Sequence, residues 1–399
     1  MSANDLLNEC RHLIETHRAE IIAAAQSLVR VNSPSGQEGE VAALVQALMQ
    51  KLEFDETWVD KAGNVIGIVR GGDGPVTMFN GHMDVVSPGN PADWAHPVFG
   101  AEIHDGLMWG RGSADMKCPL TAMIYAAGLF KRWGVQPAGD IIVTAVVMEE
   151  IGGWGTHWLL EDPRLHAGRA VVGEPTNNRL MPGHRVRMVL QAALSGTSVH
   201  SSQPNLDVNP LYSLARFIND LPDVTASLRD KLGFLTITPT TLVCPPGSNN
   251  ITPPTVTQTL DVRAEPDVEP EALLPALNEL LQNSLSSGCA GRVEAARQTV
   301  QTYTGLQMEV ADLFPGYQLS AEHPWAIECE QKLAPLLGDG DLWAEPARFT
   351  CDASRLHLAG IPTVMFGPGD IAVAHTAREI ISINQFLESV AAYMALVWP

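Results

Sequence analysis

The chain has 399 residues, more than one hydrophobic core usually serves, so its length predicts two domains. Its content of 45% hydrophobic and 18% charged residues is typical of a globular enzyme and excludes disordered, fibrous and coiled-coil proteins. The net charge of −20 argues against nucleic acid as a partner, because phosphate binding needs a basic face.

No run of residues is long and apolar enough to span a membrane, and the N-terminus lacks a basic region followed by an apolar one. The six cysteines are scattered without a CxxC pair, which favours reduced thiols over a disulfide framework or a cysteine zinc site. We therefore expect a cytoplasmic protein that has no membrane partner.

Residues 1–183 predict an α/β architecture. Two helices cover the first fifty or so residues, and the second runs from Gln37 to about Leu52 after the turn Asn32–Gly36. Short apolar runs then alternate with helices: Asn64–Val69, Val76–Phe79, helix Pro119–Trp133, Ile141–Val147, helix Thr156–Leu160 and Ala170–Val172. This alternation predicts a mostly parallel sheet with helices on both faces.

Residues 184–300 follow a different order. The predicted elements are strand Val186–Leu194, helix Pro210–Leu221, strands Leu235–Val243 and Val256–Ala264, helix Glu269–Leu281 and strand Arg292–Arg297. This βαββαβ order predicts an inserted ferredoxin-like α+β domain that serves as a lid or in dimerisation.

Residues 301–399 return to the α/β pattern and complete the first domain. The predicted elements are helix Pro324–Leu337, strand Pro362–Phe366 and helix Asn384–Trp398. The stretch Gly338–Asp341 lacks the twelve-residue pattern of a calcium loop and is predicted as a surface turn.

The first two of several acidic motifs in this domain contain Asp84 and Asp115. His82 and Asp84 follow the strand Val76–Phe79, and because residues i and i+2 of an extended chain share a side, Asp84 can orient the imidazole toward a metal. A solvated pair at a strand end is the alternative. Asp115 lies among small residues just before the helix at Pro119, where it can reach a metal or merely favour the helix N-terminus.

Glu149 and Glu150 follow the apolar strand Ile141–Val147. Adjacent residues of an extended chain point in opposite directions, so the pair predicts one metal ligand and one general base. A surface acidic pair is the alternative. Glu174 occupies the same position after the strand Ala170–Val172.

Two further histidines are given roles. His375 lies in the loop beyond the strand Pro362–Phe366, which predicts a metal ligand. His200 lies in the inserted region, from which it could stabilise a developing oxyanion as part of a mobile or partner-supplied domain. Other histidines, among them His96 and His104, are given no role, because isolated histidines are more often structural or exposed.

In combination these motifs resemble the dinuclear zinc metallopeptidases and deacylases, which include acetylornithine deacetylase, succinyl-diaminopimelate desuccinylase, aminoacylase and glutamate carboxypeptidase. The likeness extends over nearly the whole chain, from Ser33–Gly36 through Asp261–Arg263 to His375–Glu379. It implies two divalent metal ions, with zinc expected and cobalt or manganese as alternatives.

The resemblance also implies how the ligands are divided. Asp115 would bridge the two ions, His82 and Glu174 would complete one site, and Glu150 and His375 would complete the other. Asp84 would then orient His82, Glu149 would be the general base, and the bond between Asp115 and Met116 would be cis.

The same resemblance extends to the inserted domain. It implies a homodimer through this domain, with His200 reaching the active site of the second copy. Asn250 and Arg263 are similar to family positions that contact the substrate, and Arg263 would bind its carboxylate. An edge-strand salt bridge is the alternative role for Arg263.

The segments Phe314–Tyr317 and Phe366–Asp370 look most like acetylornithine deacetylase. However, Gly183–Val186 lacks the glycine usual after the basic residue, and Arg378 replaces a usual acid, so the substrate side chain stays undefined. The expected function is metal-dependent hydrolysis of the amide bond of an N-acyl-L-amino acid. The alternatives are a metallo-exopeptidase or dipeptidase that acts on a short peptide, and a non-catalytic binding module of the same fold.

Overall fold

A computed structural model describes residues 3–245, 247–338 and 342–398. Asp339, Gly340 and Asp341 of the predicted surface turn lie outside the described residues. The described chain forms nine α-helices: α1 Ala3–Val29, α2 Gly39–Lys51, α3 Cys118–Trp133, α4 Trp154–Leu159, α5 Pro210–Leu232, α6 Pro270–Ser284, α7 Pro324–Leu337, α8 Ala353–Leu358 and α9 Ile383–Leu396.

The strands of the described residues are numbered in chain order. They are β1 Glu56–Val59, β2 Val65–Val69, β3 Thr77–His82, β4 Glu102–His104, β5 Leu107–Trp109, β6 Ile141–Val146, β7 Arg169–Val172, β8 Gly183–His184, β9 Val186–Ser195, β10 Leu235–Val243, β11 Thr255–Ala264, β12 Ala290–Ala295, β13 Arg297–Gln301, β14 Gln307–Ala311, β15 Leu313–Phe314, β16 Tyr317–Gln318, β17 Thr363–Met365 and β18 Ile380–Ser382.

The central sheet has the strand order β1-β2-β6-β3-β7-β17. The four strands β6, β3, β7 and β17 pair in parallel, whereas β1 and β2 form an antiparallel edge. Every residue of β2, β3, β6, β7 and β17 is buried, as expected for strands that are covered on both faces of the sheet. The mostly parallel sheet predicted from the sequence is confirmed.

Helices cover both faces of this sheet. Successive residues of β3 serve opposite faces, so Phe79 packs in one core and Met78 in the other. The core around Phe79 includes residues of α1, α3 and α9, which also contact one another, and the core around Met78 includes Leu356 of α8. These two layers fix the sheet edge on which the functional side chains lie.

The second large sheet has the order β10-β11-β9-β12, and β15 pairs with β9. Helices α5 and α6 pack on it around a separate apolar core that includes Phe217, Leu260 and Leu277. The chain order β9-α5-β10-β11-α6-β12 is the predicted βαββαβ order. Because β15 lies beyond residue 300, the sheet recruits a strand from outside the predicted insertion, and the limits 184–300 stay a prediction.

Some elements differ from those predicted. Helix α5 continues past Leu221 to Leu232 with Pro222 inside it, because Thr225 and Leu228 extend its buried face. Short strands such as β1, β4 and β5 were not predicted, since three or four residues carry too little periodicity. The bond between Asp115 and Met116 is cis, as predicted. No helix among the described residues is long and apolar enough to cross a membrane.

Candidate metal centre

The predicted metal ligands and Glu149 gather at one edge of the central sheet. His82 is the last residue of β3, Glu149 and Glu150 come shortly after β6, Glu174 follows β7, and His375 lies in the loop after β17. These four strands are parallel neighbours, so their carboxyl ends meet at the same edge, where ligand sites of open α/β sheets form.

Two groups of potential ligands overlap at Asp115. The ligand atoms of His82, Asp115 and Glu174 lie within 4.8 Å of one another, and so do those of Asp115, Glu150 and His375. His82 Nε2 is 3.0 Å from Asp115 Oδ1, whereas His375 Nε2 is 3.1 Å from Asp115 Oδ2. Asp115 therefore presents one oxygen to each group.

Asp84 orients His82 through its backbone carbonyl, whereas the sequence predicted that its carboxylate does so. The Nδ1 atom of His82 is 2.9 Å from the backbone carbonyl oxygen of Asp84 and 3.6 Å from its carboxylate. The carboxylate instead accepts hydrogen bonds from the backbone N–H groups of Glu149 and Glu150, at 3.0 and 3.1 Å, and from the Ser35 hydroxyl at 2.6 Å. Asp84 thus fixes both the imidazole and the loop of the two glutamates.

Glu149 and Glu150 lie on a turn. The prediction that extended backbone points their side chains in opposite directions is therefore wrong. Met148, just before them, has φ 56°, and the turn closes with hydrogen bonds from Gly152 and Gly153 to the Glu149 carbonyl. The two side chains nevertheless differ in surroundings. Glu150 is 3.1 Å from His375, whereas Oε1 of Glu149 is buried without a hydrogen-bond partner among the described residues.

In the absence of ions, the neighbouring carboxylates raise the pKa of both imidazoles, and metal binding would displace the protons that they hold. Burial raises the pKa of Glu149 and that of Glu174 well above their ordinary values. Although burial opposes it, the hydrogen bond with Asp115 raises the pKa of His82 well above its usual range. Hydrogen bonds with Asp115 and Glu150 raise the pKa of His375 to about 10.

The donor set fits two divalent ions. Each group supplies one imidazole nitrogen and two carboxylates, the ligands that zinc and related metals take in hydrolytic sites. Within the described part of the chain, Oε1 of Glu174 is also buried without a hydrogen-bond partner. A buried acceptor of this kind is costly unless something positive faces it.

Glu379 holds the loop of Asp115 and was not among the predicted site residues. Its carboxylate pairs with Arg111 and accepts hydrogen bonds from the backbone N–H groups of Ala114 and Asp115, at 3.0 and 3.1 Å. Arg111 and Glu379 are both buried. Only their spatial pairing reveals this role, because more than 260 residues separate Glu379 from Asp115 in the sequence.

A cavity of about 430 Å³ opens beside the centre. Its lining includes Glu149, Glu150, His375, Arg187, Arg263 and Asp312. Arg263 lies directly opposite Arg187 on neighbouring strands, and Asp261 interacts with both, at 2.9 and 3.4 Å. Arg187, which also pairs with Asp312 at 2.7 Å, was not predicted, because its alternation on β9 resembles that of any surface residue.

His200 and Asn250 lie together but away from this cavity. The Nδ2 atom of Asn250 is 3.1 Å from Nε2 of His200, and Ser202 Oγ is 2.7 Å from the other ring nitrogen. Both side chains are exposed. The structure therefore brings the predicted ligands, Glu149 and Arg263 together, but not His200 or Asn250 with them.

Comparison with known proteins agrees with this geometry. Residues 78–398 match the model of peptidase family M20/M25/M40. The chain belongs to this family. Its members are metal-dependent hydrolases of amide or peptide bonds, and so is this chain.

Several similar proteins align with this chain over almost its full length and over almost their own. The YgeY protein of Escherichia coli strain K12 is 24% identical over 95% of this chain and 94% of its own. A succinyl-diaminopimelate desuccinylase of Cereibacter sphaeroides is 28% identical over 94% of this chain and 97% of its own. The solved structure of the di-peptidase Dug1p of Saccharomyces cerevisiae has a TM-score of 0.76 at 13% identity and covers 100% of this chain and 99% of its own.

Replacing Glu379 tests the support of the Asp115 loop. Glu379→Ala leaves Arg111 buried without its partner, so we expect the free energy of unfolding of the metal-free protein to fall by roughly 3–5 kcal/mol in urea denaturation. Glu161→Ala, which removes the exposed ion pair with Lys61, serves as the control and should cost far less, because exposed ion pairs contribute little to stability. Equal losses in the two variants would contradict the supporting role.

Proposed function

We propose that this chain hydrolyses the amide bond of an N-acyl-L-amino acid and that two zinc ions are its cofactors. The observation that carries the proposal is the shared position of Asp115 between two donor groups, beside a buried Glu149 whose Oε1 is unpaired among the described residues. One group is His82, Asp115 and Glu174, and the other is Asp115, Glu150 and His375.

Ions held by these residues would supply Lewis-acid polarisation of the acyl carbonyl and lower the pKa of water. Glu149 takes a proton from the attacking water and passes it to the leaving amine. Asp84 keeps Glu149 and Glu150 in place through their backbone N–H groups. The burial of this centre limits competing water and strengthens electrostatic interactions within it.

The size and lining of the cavity favour a small substrate that carries a carboxylate. Arg263 lines it together with Glu149, and a guanidinium binds a carboxylate through two parallel hydrogen bonds. The likeness to a desuccinylase favours an N-acyl amino acid. The likeness to the di-peptidase Dug1p supports the second candidate, a dipeptidase that uses the same residues.

We further propose a homodimer through the inserted domain. His200 and Asn250 are exposed and absent from the cavity lining of their own chain, as expected for residues that complete the site of a second copy. In that position an imidazole N–H of His200 donates to the oxygen on which negative charge develops.

The adjacent glutamates provide a matched pair of variants. Because Glu149 acts as a base and not as a ligand, Glu149→Ala should lower kcat by about 10²–10⁴-fold while the zinc content stays unchanged. Glu150→Ala should lose about one ion per chain as well as activity. Plasma mass spectrometry gives the zinc content. Comparable activity in Glu149→Ala and the wild type would refute the assignment.

A substrate panel tests the proposed chemistry. N-acyl amino acids should give a higher kcat/KM than dipeptides, whereas the reverse order would favour the dipeptidase. For the preferred substrate, Arg263→Gln should raise KM by roughly 10- to 100-fold, because a hydrogen-bonded charge pair is lost. The same substrate with its carboxylate converted to an amide is the control. If the variant raised KM equally for both compounds, Arg263 would not bind the carboxylate.

Mixed dimers test whether His200 acts across the interface. Glu149→Ala and His200→Ala should each be nearly inactive alone. Refolded together in equal amounts, they should recover about a quarter of the wild-type activity, since half of the random dimers then carry one intact site of two. No recovery, despite mixed dimers detected by native mass spectrometry, would place His200 outside the partner site.

A further inference from the structure

We propose that His96, Glu102 and His104 form a third site for a divalent transition metal, separate from the candidate centre around Asp115. Their ligand atoms lie within 4.8 Å of one another. His96 Nδ1 is 3.3 Å and His104 Nε2 is 2.9 Å from the same Glu102 oxygen, Oε2. None of the three belongs to either ligand group at the sheet edge.

The local fold holds two of these side chains on one face of a hairpin. Glu102 and His104 are two residues apart on β4, so both point to the same side. The hairpin is closed by Asp105 and Gly106, which have φ 51° and 77°, the left-handed geometry that two-residue hairpins prefer. The spacing of the two donors is therefore set by the backbone.

The third donor comes from the loop that precedes β4. The His96 ring stacks on the His104 ring, with centroids 4.1 Å apart and planes 17° apart. It also contacts the Trp109 ring at 4.8 Å, and Trp109 lies opposite Glu102 on β5. Packing against two rings limits the orientations that His96 can take and keeps its Nδ1 near the Glu102 carboxylate.

The donor set selects the class of metal. Two imidazoles and one carboxylate suit Zn²⁺, Ni²⁺ and Cu²⁺, whereas Mg²⁺ and Ca²⁺ prefer oxygen ligands alone. The His104 and Glu102 side chains are 47% and 42% exposed, so a fourth position is open to water. Three protein ligands with one open position hold an exchangeable ion and not a closed structural one.

An ion here would join two segments that lead toward the main site. The loop after His96 is anchored through the Val98 carbonyl, which accepts a hydrogen bond of 2.9 Å from the backbone N–H of Arg111. Arg111 in turn pairs with Glu379, which holds the backbone of Asp115. A metal ion bound here would therefore hold the His96 loop against β4. Through Val98, Arg111 and Glu379, it would also stabilise the contacts that lead to Asp115.

Metal counting tests this proposal without recourse to activity. After dialysis against excess free Zn²⁺, the wild type should hold one more ion per chain than His104→Ala. The control is His166→Ala, which removes an exposed histidine elsewhere and should match the wild type. Circular dichroism verifies the fold of each variant. Equal zinc content in the wild type and His104→Ala would overturn the proposal.

A second readout separates this site from the proposed function. Cu²⁺ added to the zinc-loaded protein should show electron paramagnetic resonance coupling to two imidazole nitrogens, and His96→Ala should reduce it to one. The Glu150→Ala variant should also hold one more zinc ion per chain than the double variant with Glu150→Ala and His104→Ala. This difference does not depend on whether either variant hydrolyses the amide. An unchanged copper spectrum in His96→Ala would refute the site even if the amide-hydrolase proposal holds.

Discussion

The candidate metal centre buries several negative charges close to one another. Asp84, Asp115, Glu149 and Glu174 are almost completely buried, Glu150 nearly so, and only His82 and His375 contribute positive charge among the ligand groups. Carboxylates packed this closely repel one another unless cations or protons intervene. Burial is the main cause that raises the pKa of Glu149 and of Glu174, and repulsion from neighbouring carboxylates adds to it. Divalent ions would offset both effects, because they place positive charge beside these side chains.

Two of the ligand loops are each held in place by a further buried carboxylate. Asp84 accepts the N–H groups of Glu149 and Glu150, and Glu379 accepts those of Ala114 and Asp115. Successive backbone N–H groups aimed at one anion form a concave, well-defined binding geometry. The ligands are therefore positioned by their backbone before any ion arrives, which is what a site built for catalysis requires.

The sheet explains why widely separated residues converge. Residues 82, 150, 174 and 375 reach one edge because β3, β6, β7 and β17 are parallel neighbours. The inserted region builds its own sheet and core, yet Arg263 and Arg187 on its strands line the cavity beside Glu149. In the proposed function, residues at the edge of the central sheet carry the chemistry, and arginines of the second sheet bind the substrate.

The central sheet and most of the candidate ligands could be predicted from the sequence. Buried parallel strands appear in the sequence as apolar runs, and polar residues directly after them lie at the sheet edge. The features that could not be predicted are contacts between segments that are far apart in the sequence, and local turns that no sequence pattern signals. The turn at Met148, the pairing of Glu379 with the Asp115 loop, and the hydrogen bond between Asn250 and His200 all join segments that no local pattern connects. His96 and His104 are likewise recognised as neighbours only when the loop before β4 folds back onto the hairpin and the two rings stack. The Asp105-Gly106 pair is itself a turn signal in the sequence.

Anomalous diffraction from crystals of the zinc-loaded protein, collected at the zinc absorption edge, tests the central claim most directly. At the sheet edge around Asp115 we predict two peaks about 3.5–4 Å apart, one on each side of the Asp115 carboxylate. His82 and Glu174 should flank the first peak, and Glu150 and His375 the second. A single peak at this sheet edge, or a pair that Asp115 does not bridge, would contradict it.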